Sequence, residues 1–546
     1  MNPAGQFIVE VEGDGRREIP LPSTSLSLAD ALAAQGLPLN TRCGQRGVCR
    51  GCEVTLLQGK LELNGNTIAA PQVVQACRAK LVGPATIQIP LRSRLEHQPQ
   101  VSDTFEIAVP CAHQPLFPPV PGQRDTAFAV DVGTTTVVVL LVDLVTGAVL
   151  SRAGAFNEQI RFGDNVVTRI DAARSPKIRA AMQQAVVAET IAPLLREALA
   201  AATRSPERIA GGAIAGNTTM LHLLVGEDPS SLGVAPFAPR FIAARRTTAS
   251  AIGLTVGGLE LDTPLQLLPG IAAYIGADIT AGVYATGMAY DPAPSLLVDI
   301  GTNGEIVLQN GGKLTACATA AGPAFEGCGL GSGTRARAGA ISDLALRLAP
   351  FQIQAETIGH LPLAQASGLC GSAYVDFLAT ARRSGLLGAT GRFEPAAWEN
   401  LPAQNRSDKN GERSLRLTDA SGAGTLRVSE ADVARLLQAK AAIGAGIEIL
   451  LETAQIHAAQ VGRLYLAGGF GMHLDIAHAI ATGLLPGFRE DQVRVVGNTA
   501  LAGALLALVD ATTLEEMENL RQLVEIIELN LVDGFEDRYI EHLMLP

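Results

Sequence analysis

Two short stretches of this 546-residue chain repeat the same parts 168 residues apart. The first is Asp131-Val132-Gly133-Thr134-Thr135-Thr136, and the second is Asp299-Ile300-Gly301-Thr302-Asn303-Gly304-Glu305. Each lies between apolar runs, 127–144 (AFAVDVGTTTVVVLLVDL) and 296–308 (LLVDIGTNGEIVL), so each reads as strand, glycine-hydroxyl turn, strand. Two lobes that open with the same unit imply a duplicated fold. Glycine permits a tight turn whose N–H groups and hydroxyls face a phosphate, and the aspartate can hold Mg²⁺ through water. One such turn is an ordinary hairpin. Two at the heads of two lobes can grip a nucleotide from both sides. Gly133, Thr134, Thr135, Gly301, Thr302 and Asn303 are the candidate phosphate contacts, beside Asp131 and Asp299. A third segment, 466–471 (LAGGFG), places Gly468 and Gly469 after an apolar strand, where bare backbone can lie against an adenosine.

Strands alternate with amphipathic helical patterns at 177–201 and 430–459, which argues for α/β lobes over 125–290 and 291–546. Residues 93–124 read as a linker, with three prolines in 116–122 (LFPPVPG). Residues 1–92 read as a small α+β domain. It has a strand at 6–11, a helix at 27–35, strands at 53–57 and 61–63 around Gln58-Gly59, and a closing strand at 85–89.

Within that domain Cys43, Cys49, Cys52 and Cys77 are spaced x5, x2, x24, and the loop CGQRGVCRGC carries glycines at 44, 47 and 51. Four thiolates with close backbone N–H donors suit a [2Fe–2S] cluster. Zinc ribbons usually use two C-x2-C knuckles, and only one is present. Zinc and a chance gathering of core cysteines are the other readings. Arg42, Arg46 and Arg50 surround the loop, either as a solvated surface or as a dock for an acidic partner.

Composition limits the remaining classes. A net charge of −11 and a single Trp disfavour nucleic-acid binding, which needs basic and stacking surfaces. Mean hydropathy is +0.24, yet the apolar run 137–142 is cut by Asp143, so no membrane span is expected. The start, MNPAGQF, lacks signal-peptide character, which makes the cytoplasm the expected compartment. No Walker A motif occurs, and the 329–333 glycine run lacks dinucleotide-site spacing.

The paired Asp-x-Gly-Thr turns with a late Gly-Gly resemble the superfamily of acetate and sugar kinases, actin and the heat-shock cognate ATPases. The cysteine spacing resembles the adrenodoxin-like variant of the ferredoxin fold. Together with 216–222 (GNTTMLH), 321–327 (AGPAFEG), 368–374 (GLCGSAY) and 497–504 (GNTALAGA), the whole chain resembles the reductive activators of corrinoid proteins. That resemblance implies a multidomain α/β architecture. It comprises an N-terminal ferredoxin-like (β-grasp) [2Fe–2S] domain and two actin-like (ribonuclease-H-like) lobes. It implies ATP and Mg²⁺ as cofactors, a corrinoid methyltransferase component as partner, and usually a homodimer. Electrons would come from a separate reductase or small donor such as a ferredoxin. Neither nucleic acid nor membrane is implied. Cys43, Cys49, Cys52 and Cys77 would be the metal ligands, and Asp131, Asp299 and Glu326 the catalytic candidates. The partner would belong to some branch of one-carbon metabolism.

The chemistry under this resemblance is ATP-driven transfer of an electron to Co(II) corrinoid, restoring Co(I). A plant-type cluster lies near roughly −400 mV. Co(I) is a stronger reductant than that. A tenfold shift of a one-electron equilibrium takes about 59 mV, so one ATP suffices for a few such steps. A small-molecule kinase of the same superfamily and a nucleotide-binding redox sensor are the alternatives. Among other residues, Asp278 reads equally as an inter-lobe carboxylate or a helix N-cap. The segment 157–170 (NEQIRFGDNVVTRI) resembles a segment of these activators, which would place it near the nucleotide cleft; a helix capped by Asp164 before an apolar face is the other reading. Cys328, Cys370 and His222 read as core residues.

Overall fold

The computed structural model describes residues 6–11, 15–20, 26–35, 37, 39, 52–89, 104–163, 165–260, 262–327, 329–334, 336, 339–363, 366, 368–409, 411–417 and 426–546. Cys43, Cys49, Arg42, Arg46, Arg50, Asp164 and Cys328 lie outside the described residues. The chain divides into two compact units, Met1–Gln98 and Pro99–Pro546.

The first unit is a six-stranded sheet with one helix. Its strands are β1 (Gln6–Val11), β2 (Gly15–Pro20), β3 (Glu53–Leu63), β4 (Asn66–Ala69), β5 (Gln72–Gln75) and β6 (Ala79–Ile89). They are ordered β2-β1-β6-β3-β4, with β5 also on β3. Period-two alternation buries Val54 and Leu56 of β3 and Phe7 and Val9 of β1 under the helix Leu28–Ala33. Ser27 caps that helix by accepting from the Asp30 N–H at 3.1 Å. The two strands expected at 53–57 and 61–63 are one strand. Gln58-Gly59 forms a bulge rather than a turn, with register slips on either side. Gly59 has φ +91°, and a Cβ there would lie 2.4 Å from the Pro84 carbonyl, so the glycine serves close approach of β6. The reversal comes at Asn64-Gly65, both left-handed.

The second unit contains two sheets of matching order. In its first half are β7 (Thr126–Val132), β8 (Thr136–Asp143), β9 (Val149–Phe156), β10 (Ile209–Gly216), β11 (Arg245–Thr248) and β12 (Pro264–Leu267). These are arranged β11-β12-β10-β7-β8-β9. The second half has β13 (Ser295–Ile300), β14 (Gly304–Asn310) and β15 (Lys313–Thr319). Its small satellite sheets hold β16 (Ala340–Leu348), β17 (Phe351–Thr357), β18 (Gly368–Leu369), β19 (Arg406–Lys409), β20 (Glu412–Arg416) and β21 (Arg427–Ser429). Its main sheet is completed by β22 (Arg463–Ala467), β23 (Val493–Gly497) and β24 (Val524–Ile526), in the order β23-β22-β13-β14-β15-β24. Each half opens with an antiparallel hairpin, and in each the first strand runs parallel to a later one, β7 beside β10 and β13 beside β22. The interior of β8 is buried without alternation, as a strand covered on both faces requires.

The helical pattern at 177–201 appears as Pro176–Val186, a π-turn at Val187–Ile191 and Ala192–Ala201. Pro193 has no N–H to offer the preceding turn, and the ladder widens just before it. The later helix runs Glu430–Thr453 rather than to 459. It starts from a reciprocal Ser429–Asp432 cap and ends before Gln455, whose φ is +55°.

Residues 104–124, read above as linker, are laid against the second unit as a strap. Ala108 donates to the Ala285 carbonyl at 2.9 Å, Leu116 to Leu508 at 2.9 Å, and Phe117 is buried in the core. Proline-rich sequence here gives extended chain that packs, because its apolar side chains find a surface.

Two helices join the halves. Ala277–Ala285 follows β12 and Thr499–Val509 follows β23, and they cross at small residues. A Cβ at Gly503 would lie 2.4 Å from the Ala281 Cβ and 2.7 Å from its Cα. Leu501, Leu505 and Leu508 of the second helix sit in the core of the first half. Gly503→Val is therefore expected to destabilise the second unit by about 1–3 kcal/mol. Urea unfolding reads this directly, and an unchanged midpoint would mean the crossing is not tightly packed.

Candidate nucleotide site

The two repeated turns face one another. Asp131 is the last residue but one of β7 and Asp299 the last but one of β13, in register with Ala215 of β10 and Ala467 of β22 near the ends of those parallel neighbours. Strand ends of this kind are where open α/β sheets bind ligands. Between the turns stands Glu326. It accepts from the Thr135 hydroxyl at 2.6 Å and from the Thr302 hydroxyl at 2.7 Å, one from each half. The segment 321–327 presents it through a short 3-10 turn, Pro323–Glu326, flanked by left-handed Gly322 and Gly327. At Gly327 a Cβ would lie 2.3 Å from the Thr334 carbonyl, so only glycine fits. Phe325 stacks on Phe470 at 5.0 Å, tying this turn to the glycine turn after β22.

The first of the two turns is held from behind by buried side chains. Arg169, fully buried, donates to the carbonyls of Thr134 (2.6 Å) and Gly163 (2.9 Å) and to Gln159 Oε1 (3.2 Å). Asn157, also fully buried, donates to the Gly133 carbonyl at 2.9 Å. Asn217 donates to Thr134 Oγ1 at 2.9 Å and caps the helix Thr218–Leu224. Gly133 closes its own turn onto the Thr136 carbonyl at 2.9 Å, and Gly301 closes onto the Asn303 carbonyl at 2.9 Å.

Four carboxylates share the junction. Burial, with the Asp278 charge adding, pushes Asp131 up to about 7, although the Asn498 amide donates to its Oδ2 at 2.7 Å. Burial and the charges of Asp278 and Asp131 push Asp299 up to about 7. Burial raises Asp278 to about 6. Glu305, next to Asp299 across the hairpin, is raised well above the carboxylate range by burial and by both neighbours. All four keep partial solvent access, so they line an accessible surface rather than a sealed core. Asp278 lies in the first turn of Ala277–Ala285, whose N-cap is Gly276; it is the inter-lobe carboxylate and not the cap. Gly468 stands against Asp299: a Cβ there would be 2.6 Å from Oδ1. Gly469 is exposed beside it.

Of the secondary expectations, the helix cap differs, while His222 and Cys370 are core residues as the sequence reads them. The helix at Val166–Ala172 is capped by Asn165. His222 is a satisfied core residue, with Nδ1 2.7 Å from the Thr218 carbonyl, Nε2 accepting from the Arg240 N–H at 3.1 Å, and its ring stacked on Phe241. Cys370 is buried, its thiol donating to the Ile341 carbonyl at 3.0 Å. Asn157 and Arg169 fall in the segment 157–170 read as near the cleft, and Asn217, Glu305 and Asn498 fall in the quoted motif segments, but the sequence marks none of them individually as a site residue. For two of them a signal existed: Gly-Asn-Thr occurs at 216–218 and again at 497–499, each after a strand.

In the first unit Cys52 and Cys77 are both buried and adjacent. Cys52 precedes β3, Cys77 follows β5, and Ala76 donates to the Cys52 carbonyl at 3.0 Å. Two of the four predicted ligands therefore share one end of the sheet.

Three protein-family models match the chain: the 2Fe-2S iron-sulfur cluster binding domain over residues 9–82, the RACo middle region over 126–291, and the C-terminal domain of RACo, the ASKHA domain, over 293–546. Corrinoid activation enzyme RamQ of Eubacterium limosum is 29% identical over 603 aligned positions, covering 96% of this chain and 97% of that protein. A [Co(II) methylated amine-specific corrinoid protein] reductase of Methanosarcina barkeri is 28% identical over 270 positions, covering 46% of this chain and 45% of its own. A solved structure of a reductive activator for corrinoid, iron-sulfur protein superposes with a TM-score of 0.71 at 28% identity, covering 99% of this chain and 98% of that one. With a ferredoxin-type unit, duplicated lobes meeting at paired Asp-x-Gly-Thr turns, and relatives matched along nearly the full length, the chain belongs to the family of reductive activators of corrinoid proteins.

Proposed function

We propose that this protein uses ATP to drive one electron from a [2Fe–2S] cluster onto the Co(II) corrinoid of a partner methyltransferase component, regenerating Co(I). The observation that carries the reading is Glu326, which joins Thr135 of one half to Thr302 of the other. Polyphosphate entering between the turns competes with this carboxylate for the same hydroxyls, so nucleotide binding and the relation of the halves are linked.

The residues present fit Mg-ATP. Four mutually repelling carboxylates at partly accessible positions favour a divalent cation, and Gly468 leaves a cradle beside Asp299 that any Cβ would fill. Among the described residues no three His, Cys, Asp or Glu side chains converge as direct metal ligands. That suits Mg²⁺, which keeps several waters and is held through them and through phosphate oxygens. Asp131 and Asp299 would hold that hydrated ion. Gly133, Thr134, Thr135, Gly301, Thr302 and Asn303 would meet the phosphates, and Gly468 and Gly469 the nucleoside. Cys52 and Cys77, with Cys43 and Cys49, would hold the cluster, which when bound supplies a one-electron carrier. The same reading includes a cytoplasmic homodimer fed by a separate reductase or ferredoxin and serving one-carbon metabolism.

The decisive experiment is anaerobic: reduced protein, Mg-ATP and a Co(II) corrinoid methyltransferase subunit, with Co(I) followed by visible absorption. ATP-dependent Co(I) formation is expected. Its absence with several such partners, beside an intact cluster spectrum, would favour the kinase or sensor reading. Cys49→Ala is expected to abolish Co(I) formation and keep nucleotide binding. Asp299→Ala is expected to lose nucleotide turnover and keep the cluster.

A second test uses pH. The folded Asp299 carboxyl binds its proton more tightly than the unfolded one. Its neutral form therefore favours the fold below about pH 4, and that contribution is lost as pH rises through about 7. The nucleotide-free Asp299→Asn variant should thus gain melting temperature over the parent as pH rises from 4, levelling off above 7. Mg-nucleotide should remove the parent's deficit. Equal melting curves at pH 5 and 8 would contradict the charge crowding.

A further inference from the structure

The first described residues of the strap, from Thr104, lie against the end of β23 beside the nucleotide junction. Asn498 donates its backbone N–H to the Thr104 carbonyl at 3.0 Å, and Glu106 donates to the Val496 carbonyl at 3.1 Å. Phe105 and Gly497 thus form an antiparallel bridge at the end of β23. The approach is close: a Cβ at Gly497, where φ is +76°, would lie 2.0 Å from the Thr104 carbonyl oxygen. The Thr104 hydroxyl lies 3.8 Å from Met472 Sδ, one residue beyond the glycine turn Gly468–Gly471. Arg494 donates to Glu106 Oε2 at 2.6 Å, an ion pair in which both side chains are about half exposed.

Asn498 has a second face. Its Oδ1 caps the helix Thr499–Val509 by accepting from the Leu501 N–H at 2.8 Å, and its Nδ2 donates to Asp131 at 2.7 Å. One residue is therefore held at its backbone by the strap and at its side chain by a carboxylate of the junction. Thr104 stands six positions beyond Gln98, where the first unit ends.

We propose that Asn498 is a positioning residue that couples nucleotide occupancy at Asp131 to the grip on the strap, and hence to the chain leading to the N-terminal unit. This rests on the reading of Asp131 as part of the nucleotide site. A cation-nucleotide complex that fixes Asp131 fixes the Asn498 amide, which holds its backbone N–H in register with Thr104. Linkage makes the effect reciprocal: a strap that is released weakens nucleotide binding by the factor that nucleotide tightens the strap.

The test is hydrogen exchange on the full chain, read by mass spectrometry with and without Mg²⁺ and a non-hydrolysable ATP analogue. The analogue is expected to slow exchange in the turns 133–136 and 301–304 and, with them, at the amides of Glu106 and Asn498. Glu106→Arg, which sets two cations face to face on the surface, is expected to weaken analogue binding about tenfold, within the usual span of coupling energies. The double reversal Glu106→Arg/Arg494→Glu is expected to restore it, which a merely structural defect would not do. Gly497→Ala should act like the single reversal; should it not fold, the surface pair decides alone. Slowed exchange in the turns with none at 106 and 498, and unchanged affinity in Glu106→Arg, would overturn the coupling while leaving the nucleotide site standing. No slowing in the turns at saturating analogue would instead remove the nucleotide-site reading.

Discussion

Where the two halves of the second unit meet, burial first and mutual charge second raise the proton affinity of a group of carboxyls, Asp131, Asp278, Asp299 and Glu305. Each carboxyl is brought there by a different element: two strand ends, the first turn of a helix, and the second strand of a hairpin. No single element could be withdrawn without undoing a sheet or the helix crossing. The crowding and burial raise the affinity of this junction for protons. The charge is also answered from outside the cluster. Asn498 donates to Asp131, and a layer of donors behind the first turn holds the Gly133 and Thr134 carbonyls and the Thr134 hydroxyl.

The second phosphate turn is built differently. Asn303 hydrogen-bonds Glu305 within the hairpin, and Gly301 closes on the Asn303 carbonyl, so this turn supports itself. Duplication has conserved strand order and the Asp-x-Gly-Thr parts without conserving what stands behind them. The first turn depends on distant residues of its own half, such as Arg169. The second depends on its immediate neighbours. Glu326 meets both, and its aromatic neighbour Phe325 stacks against Phe470, which ties the carboxylate's turn to the glycine turn after β22.

Much of this organisation can be read in the chain. The repeated turns, the glycine pair at 468–469 and the cysteine spacing announce themselves because each combines unusual residues at short, fixed separations. Burial in β8 follows from its unbroken apolar run at 137–142, and the amphipathic helices from plain periodicity. What escaped was of two kinds. Asn498 and Arg169 act across 367 and 35 positions, and no local pattern marks a partner so far away. Gly59 and residues 104–124 were misjudged because composition there has two uses. Glycine serves turns and close approach alike, and proline-rich extended chain can span solvent or lie on a surface.

The helix Thr499–Val509 belongs by sequence to the second half, yet its leucines complete the core of the first. During synthesis from the N-terminus, the sheet containing β7 and β10 is made early but lacks this cover until the chain is nearly finished. Among the described residues, the core of the first unit is drawn from residues 7–89. Vectorial synthesis therefore lets the small domain form on the ribosome while the large one waits, holding apolar strands such as β8 open for hundreds of residues. For this fold, the demand for chaperone protection falls on the nucleotide-binding part and not on the cysteine-bearing one.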